Sequence, residues 1–187
     1  MGISVRRKSP IGDPSLKKVT VELCGNSSDE FKIDGAIFLL DSSGKVSSDA
    51  DLIFFGNPER ESVIYLGKTE SNPDVEQFQI DLEKIPDNVS RIEIAASIYE
   101  GDDRQQNFSM ATDNFIRVVE SELKTELFRA EFQHFSIATA RVIGEIYRRG
   151  SEWKFRNLSA GFSGGIFSLC KQFGVEIDDS PQENAVY

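Results

Sequence analysis

Apolar and polar residues alternate in many short stretches of this chain, and this period of two constrains the fold more than any other feature. Val19, Val21 and Leu23 are separated by the polar residues Thr20 and Glu22. Successive side chains of a strand point to opposite faces of a sheet, so this spacing is typical of a half-buried β-strand. The pattern therefore favours sheets over a helical bundle.

Similar stretches return about every ten residues, with turn-forming residues between them. Residues 41–44, Asp-Ser-Ser-Gly, have the composition of such a turn. Many short strands at this spacing are typical of a β-sandwich. We therefore predict an all-β sandwich of short, mostly antiparallel strands. Beyond the first strand, strands are predicted at 31–39, 52–55, 63–66, 78–82, 92–99, 115–119 and 127–132.

Residues 138–149 fit either a strand or a helix, because their apolar positions match both a period of two and a helical spacing. A turn signal follows at Gly150, and another apolar segment follows at 153–158. Two apolar segments joined by a short turn are typical of a β-hairpin. We therefore predict that both segments are strands.

One short helix is predicted at 165–173. Gly174 is expected to end it, because glycine readily adopts the left-handed conformation found after helices. Ser163 is expected to cap its start through its hydroxyl oxygen. The apolar residues stand at i, i+3, i+4 and i+7 and so share one helix face: Ile166, Leu169, Cys170 and Phe173.

The length of 187 residues suits a single domain, since domains average about 150 residues. The middle of the chain contains no linker rich in proline or serine, and no repeat of fixed period is evident. We predict an extended leader at 1–16, one sandwich domain at 17–176 and a polar tail at 177–187.

The charge balance argues against some partners. Lys and Arg number 21 and Asp and Glu 31, so the net charge is −10. Non-specific binding to nucleic acid or anionic lipid requires a positive surface and is therefore not expected. The first residues contain no apolar signal segment, and no run approaches the length of a membrane span. We expect a cytoplasmic protein in which Cys24 and Cys170 are buried, reduced thiols.

Residues 161–165 match the G-x-S-x-G motif of hydrolases that use a serine nucleophile. That serine needs a histidine base from a later loop, but the chain's one histidine, His134, precedes Ser163. A hydroxyl without a suitable base is a poor nucleophile. We therefore predict that the protein is not an enzyme and that these glycines allow a sharp turn into the helix.

Acidic residues gather in predicted loops and strand ends, at 29–34, 49–51, 74–76 and 100–103. Hard cations bind oxygen ligands from such loops, so either a cation site or a solvated acidic rim explains them. An EF-hand is excluded, because Lys32 occupies a ligand position and strand alternation replaces the flanking helices.

Residues 30–41 and 44–55 resemble a signature of the bacterial TerD family of tellurium-resistance and stress proteins. That signature reads like D-F-D-L-D-x-S-A-F-L-L, followed by G-K-V-x-x-D-x-D-F-V-F-Y-N-N. The resemblance implies a calcium-binding β-sandwich that acts in the cytoplasm with other proteins of a stress or tellurite-resistance system. It continues in the same order through 98–100, 104–108, 114–118, 144–148, 153–155 and 161–165.

The resemblance also implies a calcium ligand set, although two lysines depart from the family pattern. Lys32 replaces an aspartate of the first motif, and Lys68 stands in a loop that is a few residues shorter than usual. An ammonium group repels a cation and removes a ligand oxygen. The acidic residues at matching positions are Glu30, Asp34, Asp74, Glu76 and Glu100.

Two interpretations of this region stay open. In the first, the acidic residues form one weak calcium site that orders the loops for a partner protein. In the second, Lys32 or Lys68 forms an internal ion pair with them, and the protein is a metal-free scaffolding or interaction module of the same fold.

Overall fold

The computed structural model describes residues 15–25, 30–132 and 137–177, which form eleven strands and one α-helix. His134, most of the predicted leader and most of the predicted tail lie outside these ranges. The elements are β1 (Lys18–Cys24), β2 (Ile33–Leu40), β3 (Leu52–Ile53), β4 (Glu59–Arg60), β5 (Val63–Lys68), β6 (Val75–Asp81), β7 (Arg91–Ile98), β8 (Phe115–Glu120), β9 (Glu126–Glu131), β10 (Ala140–Arg149), β11 (Glu152–Phe162) and α1 (Gly165–Phe173).

The strands assemble into two antiparallel sheets. One has six strands in the order β4-β5-β6-β1-β8-β9, and the other has five in the order β11-β10-β7-β2-β3. The first strand, β1, lies inside the larger sheet, where Leu23 stands opposite Glu76 of β6 and Ile116 of β8. The predicted all-β, antiparallel sandwich is therefore confirmed.

The main hydrophobic core lies between the two sheets. Val19 and Val21 of β1 are fully buried there, in one cluster with Ile37 of β2 and Ile92 of β7. Full burial of an apolar side chain of this size stabilises the folded state by ~1.5–3 kcal/mol. The alternation seen in the sequence thus marks the residues that hold the sheets together.

Helix α1 covers the outer face of the five-stranded sheet. Leu169, Cys170 and Phe173 are buried in this second cluster, where the ring of Phe173 lies 4.8 Å from that of Phe38. The predicted helix is confirmed, and Gly174 follows it with a φ of 78°. Because helix and core cover opposite faces of β2, this strand is apolar on both sides.

The start of α1 is held by residues from distant loops. The Gly164 N–H donates to Asp102 Oδ2 at 2.9 Å, and the Gly165 N–H donates to Thr139 Oγ1 at 2.9 Å. The Thr139 hydroxyl donates in turn to Asp102 Oδ2 at 3.1 Å. The expectation that Ser163 caps the helix is wrong, because the cap position falls on Gly164, which has no side chain.

The remaining elements agree with the predictions in kind and differ in extent. Residues 138–149 supply strand β10, which pairs with β11 as the predicted hairpin. Strand β4 was not predicted, because two residues are too few to show an alternation. The strands predicted at 63–66 and 78–82 are longer in the structure, since β5 extends to Lys68 and β6 begins at Val75.

Both cysteines, Cys24 and Cys170, are buried and free of disulfide bonds, as the sequence predicted. Within the three described ranges, no helix combines the length and the apolar character needed to cross a membrane.

Candidate functional site

Glu76 is a charged residue at an inward-facing position of β6, at one end of the sandwich. Its strand neighbours Phe78 and Ile80 belong to the main core, and Glu76 itself is only 4% exposed. Its Oε2 accepts the N–H of Gly35 at 2.6 Å, and its Oε1 accepts the hydroxyl of Tyr65 at 3.0 Å. These donors satisfy both oxygens, which a buried carboxylate requires.

Gly35 makes room for this carboxylate. A Cβ atom at position 35 would lie 2.9 Å from Glu76 Oε2 and 3.0 Å from side-chain atoms of Leu23 and Phe78. Strand β3 pairs with β2 at Ile37 and Phe38, so the Gly35 N–H lies beyond that pairing. Glu76 thus links the two sheets by bonding to the backbone of β2.

Asp34 lies beside this bond and is half-buried. Burial raises its pKa, against the lowering effect of the Lys68 and Lys32 charges. The pKa of Glu76 is also raised, first by burial and further by the charge of Asp34, while its two hydrogen bonds and Lys68 act in the other direction. Burial and the Glu76 charge likewise raise the pKa of Tyr65.

The other three predicted ligands have different surroundings. The carbonyl oxygen of Glu30 accepts a hydrogen bond from Gln106 Nε2 at 2.7 Å, and its side chain is exposed. The exposed carboxylate of Glu100 accepts the Arg104 Nε–H at 3.0 Å, and bonds from Tyr99 and Arg104 lower its pKa.

Asp74 lies next to the end of β1. Its carbonyl oxygen accepts the Gly25 N–H at 3.0 Å. Burial raises the pKa of the nearby Cys24 thiol, and the negative charge of Asp74 raises it further. The structure thus brings Asp34 and Glu76 together, while Glu30, Asp74 and Glu100 engage other groups.

Calcium takes six to eight oxygen ligands, and this end of the sandwich supplies few from side chains. No group of three or more His, Cys, Asp or Glu residues is placed to hold a metal ion among the residues that the structure describes. Both oxygens of Glu76 already accept protein donors. The geometry therefore fits a tight calcium site poorly, and the five-residue ligand set stays a prediction.

A second pair of buried carboxyl groups was not foreseen. Glu93 of β7 and Glu145 of β10 stand directly opposite each other and are 5% and 1% exposed. Arg156 Nη2 donates to Glu145 Oε1 at 2.6 Å. Burial and the adjacent Glu145 raise the pKa of Glu93 to about 8. In the sequence, the only signal is a glutamate between Ile92 and Ile94, which also suits a solvated strand face.

A family model described as the TerD domain matches residues 5–173 of the chain. General stress protein 16U of Bacillus subtilis (strain 168) is 32% identical over 176 residues, which cover 88% of this chain and 91% of that protein. Tellurium resistance protein TerD of Serratia marcescens is 37% identical over 172 residues, covering 87% and 90%.

A solved structure shows the same fold. The crystal structure of a homologue of telluride resistance protein (TerD) from Streptomyces coelicolor A3(2) has a TM-score of 0.64 and 18% sequence identity. The similarity covers 83% of this chain and 95% of that one. This similarity shows the fold, and the family model and the two relatives show that the chain belongs to the TerD domain family.

Proposed function

We propose that the protein is a non-enzymatic, cytoplasmic member of a stress-response or tellurite-resistance system and acts by binding other proteins of that system. Family membership supports this role, since relatives spanning nearly the same length are named as a general stress protein and a tellurium resistance protein. The sheets are antiparallel, whereas a G-x-S-x-G nucleophile needs a parallel sheet and its helices.

We also propose that the protein binds calcium weakly at the end of the sandwich that carries Asp34 and Glu76. One observation supports it: the negative charge of Asp34 acts on the buried Glu76, and none of the ion pairs found in the described ranges involves Asp34. A cation there relieves the repulsion between the carboxylates. Binding is weak, because Lys68 opposes it. Glu30, Asp74 and Glu100 complete the proposed ligand set.

The alternative is a metal-free interaction module, and Lys68 favours it. The positive charge of Lys68 acts on both Asp34 and Glu76, and on each it opposes the rise in pKa that burial causes. In this account the lysine replaces the cation, and the sandwich presents the same loops to a partner without a metal.

Calorimetric titration of the chelator-stripped protein separates the two accounts. With a weak site, calcium gives heat and raises the melting temperature, and magnesium gives less of both, because it demands a stricter geometry. If calcium gives neither heat nor a shift, calcium binding is excluded and the metal-free account holds.

Variants locate the site. Asp34→Asn is expected to abolish calcium binding, whereas Lys68→Gln is expected to strengthen it about twofold to fivefold by removing the repulsive charge. Lys17→Gln is the matched control, since exposed Lys17 pairs with Glu83 near the other end of β1. Equal effects of the two lysine variants would show that calcium affinity depends only on the net charge of the protein and not on this site.

The stress role is tested separately. The chain is expressed in a bacterium deleted for its own TerD relatives, and growth is measured in tellurite and in general stress conditions. Restored growth is expected from the wild-type chain and from Ser163→Ala, which a hydrolase would not tolerate.

A further inference from the structure

A groove of about 300 Å³ lies on the outer face of the five-stranded sheet, beside the C-terminal end of α1. Its charged groups are Arg91 and Glu93 of β7 and Lys45 of the turn after β2. Arg91 pairs with Leu40 at the end of β2. Leu40 lies six residues along this strand from Asp34, so the groove is roughly 20 Å from the proposed calcium site. The apolar walls are Leu40, Val142, Leu158, Ala160, Phe162 and Phe173.

Arg91 brings a half-buried guanidinium to this groove. A Cβ atom at Gly44 would lie 2.7 Å from Arg91 Nη2, so the glycine lets the guanidinium pack against the turn. Lys45 already donates from Nζ to the Gln172 carbonyl oxygen at 2.5 Å. Within the described ranges, the Arg91 side chain makes no ion pair or hydrogen bond, and it is therefore the cation that remains for a ligand.

Glu93 shares a face of β7 with Arg91 but does not neutralise it near pH 7. Burial and the facing Glu145 raise the pKa of Glu93 to about 8, in spite of Arg91 and Arg156, which lower it. Arg156 in turn neutralises Glu145. Near neutral pH, Arg91 and Lys45 therefore make the groove positive in a chain whose net charge is −10.

We propose that this groove binds a small monocarboxylate with an apolar chain, whose carboxylate pairs with Arg91 and whose chain packs on Val142, Leu158 and Phe162. A planar guanidinium matches a carboxylate with two parallel hydrogen bonds. Small-molecule sites combine apolar walls with a few polar groups that orient the ligand, and this groove places Arg91 beside an apolar wall. Ionisation of Glu93 above neutral pH places a negative charge beside the ligand and weakens its binding.

The test titrates the isotopically labelled full chain with hexanoate at pH 7 and follows backbone amide shifts by NMR. Shifts are expected at Arg91, Val142 and Gln172, with a millimolar dissociation constant. Hexanol has the same chain without the carboxylate and is expected to bind about tenfold more weakly. Equal binding of hexanol, shifts confined to other surfaces, or no shift at tens of millimolar hexanoate would overturn the proposal.

Substitutions then assign the cation. Arg91→Gln is expected to weaken hexanoate about tenfold, and Arg91→Lys to weaken it less, because the charge remains. Arg149→Gln removes an exposed arginine at the end of β10 and is expected to change nothing. Undiminished binding by Arg91→Gln contradicts the assignment. Melting curves confirm folding, and the comparison of hexanoate with hexanol needs no variant.

The pH dependence tests the role of Glu93. Wild-type affinity is expected to fall between pH 7 and pH 9 as Glu93 ionises, and Glu93→Gln is expected to remove this difference. A wild-type affinity that does not change over this range would overturn the role given to Glu93.

Discussion

Two buried glutamates of this sandwich meet the cost of burial in different ways. Glu76 receives two hydrogen bonds, from Gly35 and Tyr65, and can keep its charge inside the protein. Glu93 instead faces another carboxyl group, Glu145, and no described donor reaches its Oε2. Like charges so close cannot both ionise easily, so the second pair retains a proton.

The raised pKa of Glu93 predicts that the folded state loses stability as the pH rises. Its pKa is raised from 4.5 to about 8 in the folded state, so the folded chain binds a proton that the unfolded chain has released. The free energy of unfolding should fall between these pH values. In urea unfolding, Glu93→Gln is expected to remove the fall and to be more stable than wild type at pH 9, by no more than the ~5 kcal/mol that the full shift represents.

Glu61→Gln is the control for this prediction, because it removes one negative charge at an exposed position. It should leave the decline with pH in place. If Glu93→Gln declines as steeply as wild type, another group carries the linkage.

The sequence was informative about Asp34 and Glu76 and uninformative about Glu93. Acidic patterns and a family resemblance point to the first two, and in the structure Glu76 bonds to the residue next to Asp34. Glu93 fits an alternating strand in which it faces water. That expectation fails because α1 and β11 flank the same face, and the burial of a strand face depends on elements distant in the sequence.

At the scale of elements, α1 depends on a cap supplied from elsewhere. Asp102 precedes Gly164 by 62 residues, yet it accepts the Gly164 N–H and the Thr139 hydroxyl. A carboxylate at this place satisfies a free amide and interacts favourably with the helix dipole. The cap also ties the loop after β7 to the helix.

Asp102→Ala is expected to reduce the free energy of unfolding by ~1 kcal/mol, the usual loss for a helix cap. Asp103→Ala, which removes a neighbouring exposed carboxylate, is expected to have little effect. Thermal and urea unfolding measure both. Equal losses in the two variants would indicate a general charge effect instead of capping.

Local patterns predicted the bounds of α1, because an apolar stripe and a following glycine are properties of contiguous residues. They did not predict the cap, since nothing near Ser163 indicates Asp102 or Thr139. In the same way, alternation located β10 and β11 but could not reveal β4, whose two residues are defined by pairing with β5.

At the scale of the molecule, two apolar clusters share the strands β2, β7 and β10. One lies between the sheets and the other lies under α1. Since each of these strands presents a buried side chain to both clusters, loss of either cluster exposes the other. This arrangement favours a single cooperative unfolding transition.

Trp153, the only tryptophan, tests this cooperativity because it belongs to the main core. Its fluorescence and the far-ultraviolet circular dichroism are expected to give the same urea midpoint. Phe173→Ala, which opens the second cluster, should lower both midpoints together and destabilise the fold by ~3–5 kcal/mol. An earlier dichroism transition with unchanged fluorescence would show that α1 unfolds on its own.

The fold class was predictable from the sequence, whereas the strand order was not. Alternation shows that a segment forms a half-buried strand but carries no information on its neighbours. The pairing of Val21 with both Phe78 and Val118, for example, joins segments that are far apart in the chain.

The position of β1 inside its sheet also determines when this strand can complete its pairing during translation. Cys24 pairs with Phe115, so β1 cannot acquire its second neighbour until about 90 more residues have left the ribosome. At 5–20 residues per second, one edge of β1 therefore stays open for roughly 5–20 s in every round of translation. During that interval the nascent chain exposes an apolar strand edge, and chaperones have their best opportunity to bind it.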